Sequence, residues 1–164
     1  MTTKKFRWPH GKNYPPGAIV EIPLPDGQLC YAKILADGDL AILNVLTSVR
    51  PKVREFLGAR ISFYQCIGNH ILKTSGWPVV DIQPLSPAEQ SIPPMATCYV
   101  RDANAWTMGG VPYYTHQGVK HQMTFEQAEG MNIWSVAISS EALIRVIVDR
   151  LVKGNHENYK VRST

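Results

Sequence analysis

The chain has 164 residues, 45 % hydrophobic and 18 % charged, with 12 Gly and 12 Pro. That is ordinary for a soluble globular protein and long enough for a full core without staples; no stretch approaches a transmembrane span, and no internal repeat recurs. The net charge of +4, with a pI near 9.0, gathers at Lys4, Lys5 and Arg7 and at Lys153, Lys160 and Arg162, with no basic stripe interleaved with aromatics, so solvated basic ends are expected rather than a nucleic-acid surface.

The N-terminal MTTKKFRWPHGKNYPPG has no apolar signal region. Cys30, Cys66 and Cys98 are odd in number and lack metal-ligand spacing, which predicts free thiols in a reducing compartment. A cytoplasmic protein is the expectation. Ala18 to Leu24 is a strand rich in Ile and Val, with Pro23 marking an edge or a bend. Pro25-Asp26-Gly27 is a turn in which Pro presets φ and Gly accepts a positive φ. Gln28 to Leu35 is a second strand, with Leu29, Tyr31 and Lys33 on one face and Cys30, Ala32 and Ile34 on the other. Asp37-Gly38 is a short hairpin signal, and Leu40 to Val45 is a third strand. Together these make an antiparallel meander.

Between Pro51 and Gly58 the stretch VRPKVREFLGAR holds one helical turn. Strands follow at Arg60 to Gln65 and His70 to Thr74, and Gly76-Trp77-Pro78 ends the latter. Val79 to Ile82 is a short extended piece. Residues 83–94 carry four prolines among polar residues and read as a loop of polyproline character, the candidate internal boundary of an otherwise single domain spanning 1–164. A sixth strand is predicted at Thr97 to Arg101, and Asp102 to Pro112 is turn-rich around Trp106 and Gly109-Gly110. Thr124 and Gln127 form a capping-box pattern that opens a short helix ended by Gly130. Asn132 to Ile138 reads as a strand. Ser139 or Ser140 caps a largely buried helix from Glu141 to about Lys153, supported by the i,i+4 pairs Glu141–Arg145 and Asp149–Lys153 and stopped by Gly154.

Catalytic signatures are sparse. His116 and His121, in THQGVKH, are five apart; on one strand they face opposite sides, and on a helix they do not share a face. They lack the further local ligands that zinc needs. As a general acid and base they define the alternative reading, a small His-dependent hydrolase or nuclease; a nucleic-acid or adaptor module is a third. There is no GxxxxGK[ST], no GxGxxG and no Gly-flanked nucleophilic Ser, so no catalytic residue, metal site or cofactor is assigned. Glu126 and Glu129 read as a solvated face. A loop-rich scaffold without chemistry on display suits protein binding. Asp26, Asp37 and Asp39 sit on turns, and Trp106 lies in the polar RDANAWTMGG stretch with the residue type of an interface anchor. These four are the candidate partner-binding residues.

The pattern Gly17, then Ile22-Pro23-Leu24 with Asp26-Gly27, then Tyr31, Lys33, Ile34 and Leu35 resembles a known family. Trp77-Pro78-Val79-Val80, Pro84-Leu85 and Pro93-Pro94 extend the likeness over about Tyr14 to Asp102. It is that of immunity protein 26 of bacterial polymorphic toxin systems. The resemblance implies a non-enzymatic cytoplasmic antidote that binds a cognate toxin domain. The fold expected is α+β: a curved antiparallel sheet, open or partly closing towards a barrel, with a C-terminal helix packed on it.

Overall fold

The computed structural model describes residues 14–68, 70–96, 107–108, 111–116 and 119–161. In chain order the strands are β1 (Ala18–Pro23), β2 (Leu29–Ile34), β3 (Leu40–Thr47), β4 (Ile61–Ile67), β5 (Val79–Ile82), β6 (Met95–Ala96), β7 (Thr107–Met108), β8 (Val111–His116), β9 (Val119–Gln122) and β10 (Val136–Ala137). The α-helices are α1 (Ile71–Ser75), α2 (Phe125–Ala128) and α3 (Ser140–Ile147). Two compact units form: one from the described residues up to Ile92 together with Val136–Lys153, the other from Pro93–Ser135 with Gly154 onward.

The first unit is an open six-stranded sheet in the order β10-β4-β3-β2-β1-β5. β1 to β3 are the expected antiparallel meander, β4 extends it antiparallel to β3, and β5 returns antiparallel to β1. β10 joins β4 in parallel, so the sheet is mixed rather than wholly antiparallel. The alternation of β2 holds. Cys30, Ala32 and Ile34 enter one cluster with Val20, Ile22, Leu40, Ile42 and Phe63, closed by Trp77 and by Leu143 and Ile147 of α3. Tyr31 faces the other side with Ile19, Leu43 and Phe56. A strand covered on both faces is apolar at most positions, and Glu21 and Lys33 are the buried charged exceptions in β1 and β2.

Local chemistry shapes the ends. Gly17 sits at φ +86°, and a Cβ there would lie 1.9 Å from the Gln83 carbonyl oxygen. The close approach lets Gln83 N–H donate to Gly17 O at 2.9 Å while Gly17 N–H reaches Ile34 O at 2.8 Å, tying β5 and β2 to the start of β1. The amide of Glu21 points away from β2, to Pro78 O at 3.0 Å. Two residues on, Pro23 has no N–H to offer at a place already beyond the β1–β5 pairing.

Several elements differ from the sequence expectation. Ile71–Ser75 is a helix, not a strand: Ile71 and Leu72 are both buried, and Gly76 closes it at φ +69° in the left-handed region. The segment 132–138 is no continuous strand. Asn132 and Ile133 make isolated bridges to Lys160 and Ala96, and only Val136–Ala137 ladder with β4. The turn-rich 102–112 stretch contains β7, which hairpins onto β8. The strand expected at Thr97 to Arg101 lies outside the described residues. The long helix is α-helical to Ile147 and continues as a π turn over Val148–Val152. Ser139 caps it, its hydroxyl accepting from Ala142 N–H at 3.1 Å.

In the second unit, β6, β7, β8 and β9 form a small sheet. Ala96, Met123, Ala128 and Val161 are its buried cluster. The capping box forms as read: Thr124 N–H donates to Gln127 Oε1 at 2.8 Å and Gln127 N–H to Thr124 Oγ1 at 3.1 Å.

Candidate partner-binding surface

The second face of the large sheet carries charge where a strand interior would ordinarily be apolar. Glu21 on β1 is opposite Tyr31 on β2, and both are buried. Arg50, from the β3–β4 connection, grips the Glu21 carboxylate with Nε and Nη2, each at 2.7 Å. Tyr31 Oη adds a third donor at 3.1 Å. The Arg50 hydrogen bonds hold the Glu21 carboxyl below its ordinary value against the opposing effect of burial. Burial, then the hydrogen bond Tyr31 donates to the Glu21 carboxylate, pushes the Tyr31 phenol up. The ring of Phe56 tilts against Tyr31 with centroids 4.7 Å apart. Further along the same face Lys33 donates to Glu89 Oε1 at 2.9 Å and to Pro84 O at 3.3 Å. Glu89 also closes a capping box with Ser86. Desolvation raises Glu89, but the hydrogen bonds from Lys33 and Ser86 outweigh it and leave its pKa lowered. Both ion pairs are saturated with donors, an arrangement that pins loops to a sheet.

The Lys33–Glu89 pair pins the turn Pro87–Glu89, and the Arg50–Glu21 pair pins the connection between β3 and β4. Thr47 Oγ1 donates to Val49 O at 2.9 Å, and a single 3-10 turn spans Val53–Phe56. Glu55 N–H reaches Lys52 O at 2.8 Å, and Asn44 N–H reaches Arg60 O at 2.7 Å. Phe56 is buried, whereas Val49 is 73 % and Leu57 66 % exposed. Arg50, Lys52, Arg54 and Arg60 are all exposed as well. The helical turn was legible in VRPKVREFLGAR. Its four cations were the signal for a surface, masked by the larger excess of charge at the chain ends.

The acidic residues singled out from the sequence divide. Asp26 is exposed and accepts from Gln28 N–H at 3.0 Å; Asp37 is exposed and accepts from Asp39 N–H at 3.1 Å. They lie at opposite ends of β2, roughly 20 Å apart for a six-residue strand. Asp39 turns inward, accepting Ile67 N–H at 3.1 Å. Burial pushes its carboxyl up to about 6, against hydrogen bonds from Ile67 and the Cys66 thiol. Trp106 lies outside the described residues.

His116 and His121 are on two strands of one hairpin, not on one strand. His116 pairs with Val119 and His121 with Tyr114, which makes the two histidines diagonal positions of the ladder. Among the described residues no cluster of three or more His, Cys, Asp or Glu could hold a metal ion. Cys30 and Cys66 are buried thiols outside any disulfide, and burial pushes the Cys30 thiol up to about 12, far from a reactive thiolate. No helix among the described residues is long and apolar enough to cross a membrane.

Compared with known proteins, residues 15–106 match the family described as Immunity protein 26, more than half of the chain. No curated protein and no solved structure matches it.

Proposed function

The chain belongs to the immunity protein 26 family, and from that premise we propose that it is an antidote that binds and neutralises a cognate toxin domain of a polymorphic toxin system. The observation that carries this reading is the family match over residues 15–106. That span holds the whole β1 to β5 sheet and its pinned loops. Inhibition of this kind needs complementary burial of a toxin surface, with a few aromatic or charged anchors, and no reaction of its own. Rigid sheets presenting ordered loops serve that task. We place the encounter in the cytoplasm and assign the antidote no catalytic role. Trp106, Asp26 and Asp37 are its proposed contacts, and Asp39 acts with them by shaping the turn that presents Asp37.

The test searches the neighbouring genes for one that encodes a secreted toxin and co-expresses the chain with its toxin domain. The wild-type chain is expected to restore growth and to co-purify with that domain. The double variant His116→Ala, His121→Ala is expected to protect equally well. Loss of protection with toxin binding intact would favour the hydrolase reading. Trp106→Ala is expected to weaken binding by at least about 2 kcal/mol, the size of a hot spot, with little loss of stability. A chain that neither binds the domain nor protects against it would refute the antidote reading.

A further inference from the structure

We propose that the β3–β4 connection, residues 48–60, is a docking surface for the partner protein, and that the face it meets is acidic, with hollows that take Val49 and Leu57. The proposal rests on the antidote reading and carries it from a class of function to a surface and a partner chemistry. Arg50, Lys52, Arg54 and Arg60 are exposed along one short connection that contains a single acidic residue, Glu55. Among them stand Val49 and Leu57, at 73 % and 66 % exposure two of the most exposed large hydrophobic residues described. Apolar side chains held out in water add nothing to the stability of this chain. Exposed apolar side chains interspersed with arginines along one ordered connection are the composition of a protein–protein contact.

The connection is also held ready. Arg50 is fastened to the buried Glu21 by two hydrogen bonds of 2.7 Å. Phe56 is packed beneath the segment against Tyr31. Backbone bonds close the turn from Lys52 to Ala59. A loop already ordered loses little conformational freedom on binding, so its contacts count almost in full toward affinity. The geometry favours a protein over the other anionic surfaces. Phe56 is the one aromatic residue of the segment, and it is buried. No ring is therefore offered to stack on bases or to settle at a bilayer interface.

The experiment titrates the purified chain with an inactivated form of the toxin domain identified by that co-expression test. Lys52→Glu/Arg54→Glu is expected to weaken binding at least about 100-fold and Leu57→Ser at least about tenfold, with unchanged melting temperatures. Lys73→Glu, an exposed change on α1, is expected to leave affinity as it was. In an otherwise unaltered chain, Leu57→p-benzoylphenylalanine is expected to photocrosslink to the toxin domain, a readout that survives if a charge-reversed variant fails to fold. Wild-type affinity in both loop variants, or no crosslink from position 57 within a formed complex, overturns the surface and leaves the antidote reading standing. No binding by the wild-type chain overturns both. The same chain is titrated with phosphatidylglycerol–phosphatidylcholine vesicles and with duplex DNA. Binding to either that Lys52→Glu/Arg54→Glu abolishes, with toxin affinity unchanged, overturns the assigned partner class.

Discussion

The carboxylate of Asp39 accepts the Ile67 amide and the Cys66 thiol, and Asp37 stands across the turn as a like charge. Two hydrogen bonds favour the ionised form, and burial disfavours it more, so the folded carboxyl titrates at about 6 against an ordinary 3.8. The folded chain therefore keeps a proton to higher pH than the unfolded chain does. The resulting contribution to stability is fully present below the unfolded pKa and is lost as pH rises from about 4 to about 6. Above that range the fold carries a poorly solvated charge. Asp39→Asn keeps an oxygen for the Ile67 amide and removes the charge. It is expected to be more stable than wild type by on the order of 1 kcal/mol at about pH 8, the advantage fading towards about pH 4. Urea unfolding at the two pH values checks this. A variant less stable than wild type at the higher pH would mean that the hydrogen bonds to the carboxylate outweigh its burial. Nothing in Asp-Gly-Asp indicated this role, because the residues that bury and bond Asp39 come from β4, more than two dozen positions away.

At the scale of elements, what was legible is what is local. Strand β2 announced both its faces because each packs on a core of its own, and period-two alternation survives when Lys33 and Tyr31 oppose Cys30, Ala32 and Ile34. The Asp-Gly turns were legible because Gly27 and Gly38 take φ of +81° and +96°, which only a few residue types tolerate readily. Helix α1 was not, since ILKTS is too short for a period of 3.6 to be told from one of 2. Its helical form is decided by burial of the adjacent Ile71 and Leu72 and by the Gly76 stop. Likewise nothing local singles out Glu21, because its guanidinium partner arrives from 29 residues later. Helix α3 lies between these cases. Its cap was narrowed to Ser139 or Ser140, and Ser139 Oγ makes the bond to Ala142 N–H. Ser139→Ala is expected to cost about 1 kcal/mol and to lower Tm by about 2–4 °C. Thermal melting followed by circular dichroism measures it. Ser140→Ala serves as the comparison, and an equal loss there would show that the hydroxyl of Ser139 is not what starts the helix.

For the whole molecule the question is whether net charge or placed charge guides the partner in. The chain carries +4, and an acidic partner would be drawn to it from any side if the net value alone mattered. Placed charge acts differently. Screening shortens its reach to about 10 Å at 0.1 M salt, so only cations near the docking surface steer the final approach. Lys52→Glu/Arg54→Glu removes four units of charge, two per reversal, and brings the chain from +4 to zero. The pair Lys73→Glu/Lys153→Glu brings it to the same zero with residues 48–60 intact. If the β3–β4 connection receives the toxin domain, the two variants separate. The first is expected to associate at the unsteered rate of about 10⁵–10⁶ M⁻¹s⁻¹ and to lose its dependence on salt. The second is expected to keep most of the wild-type rate and a steep fall with added salt. Stopped-flow association at a series of salt concentrations distinguishes them. Equal flattening in both variants would assign the steering to net charge and leave the loop with contact alone, which the dissociation rate of Leu57→Ser then measures separately.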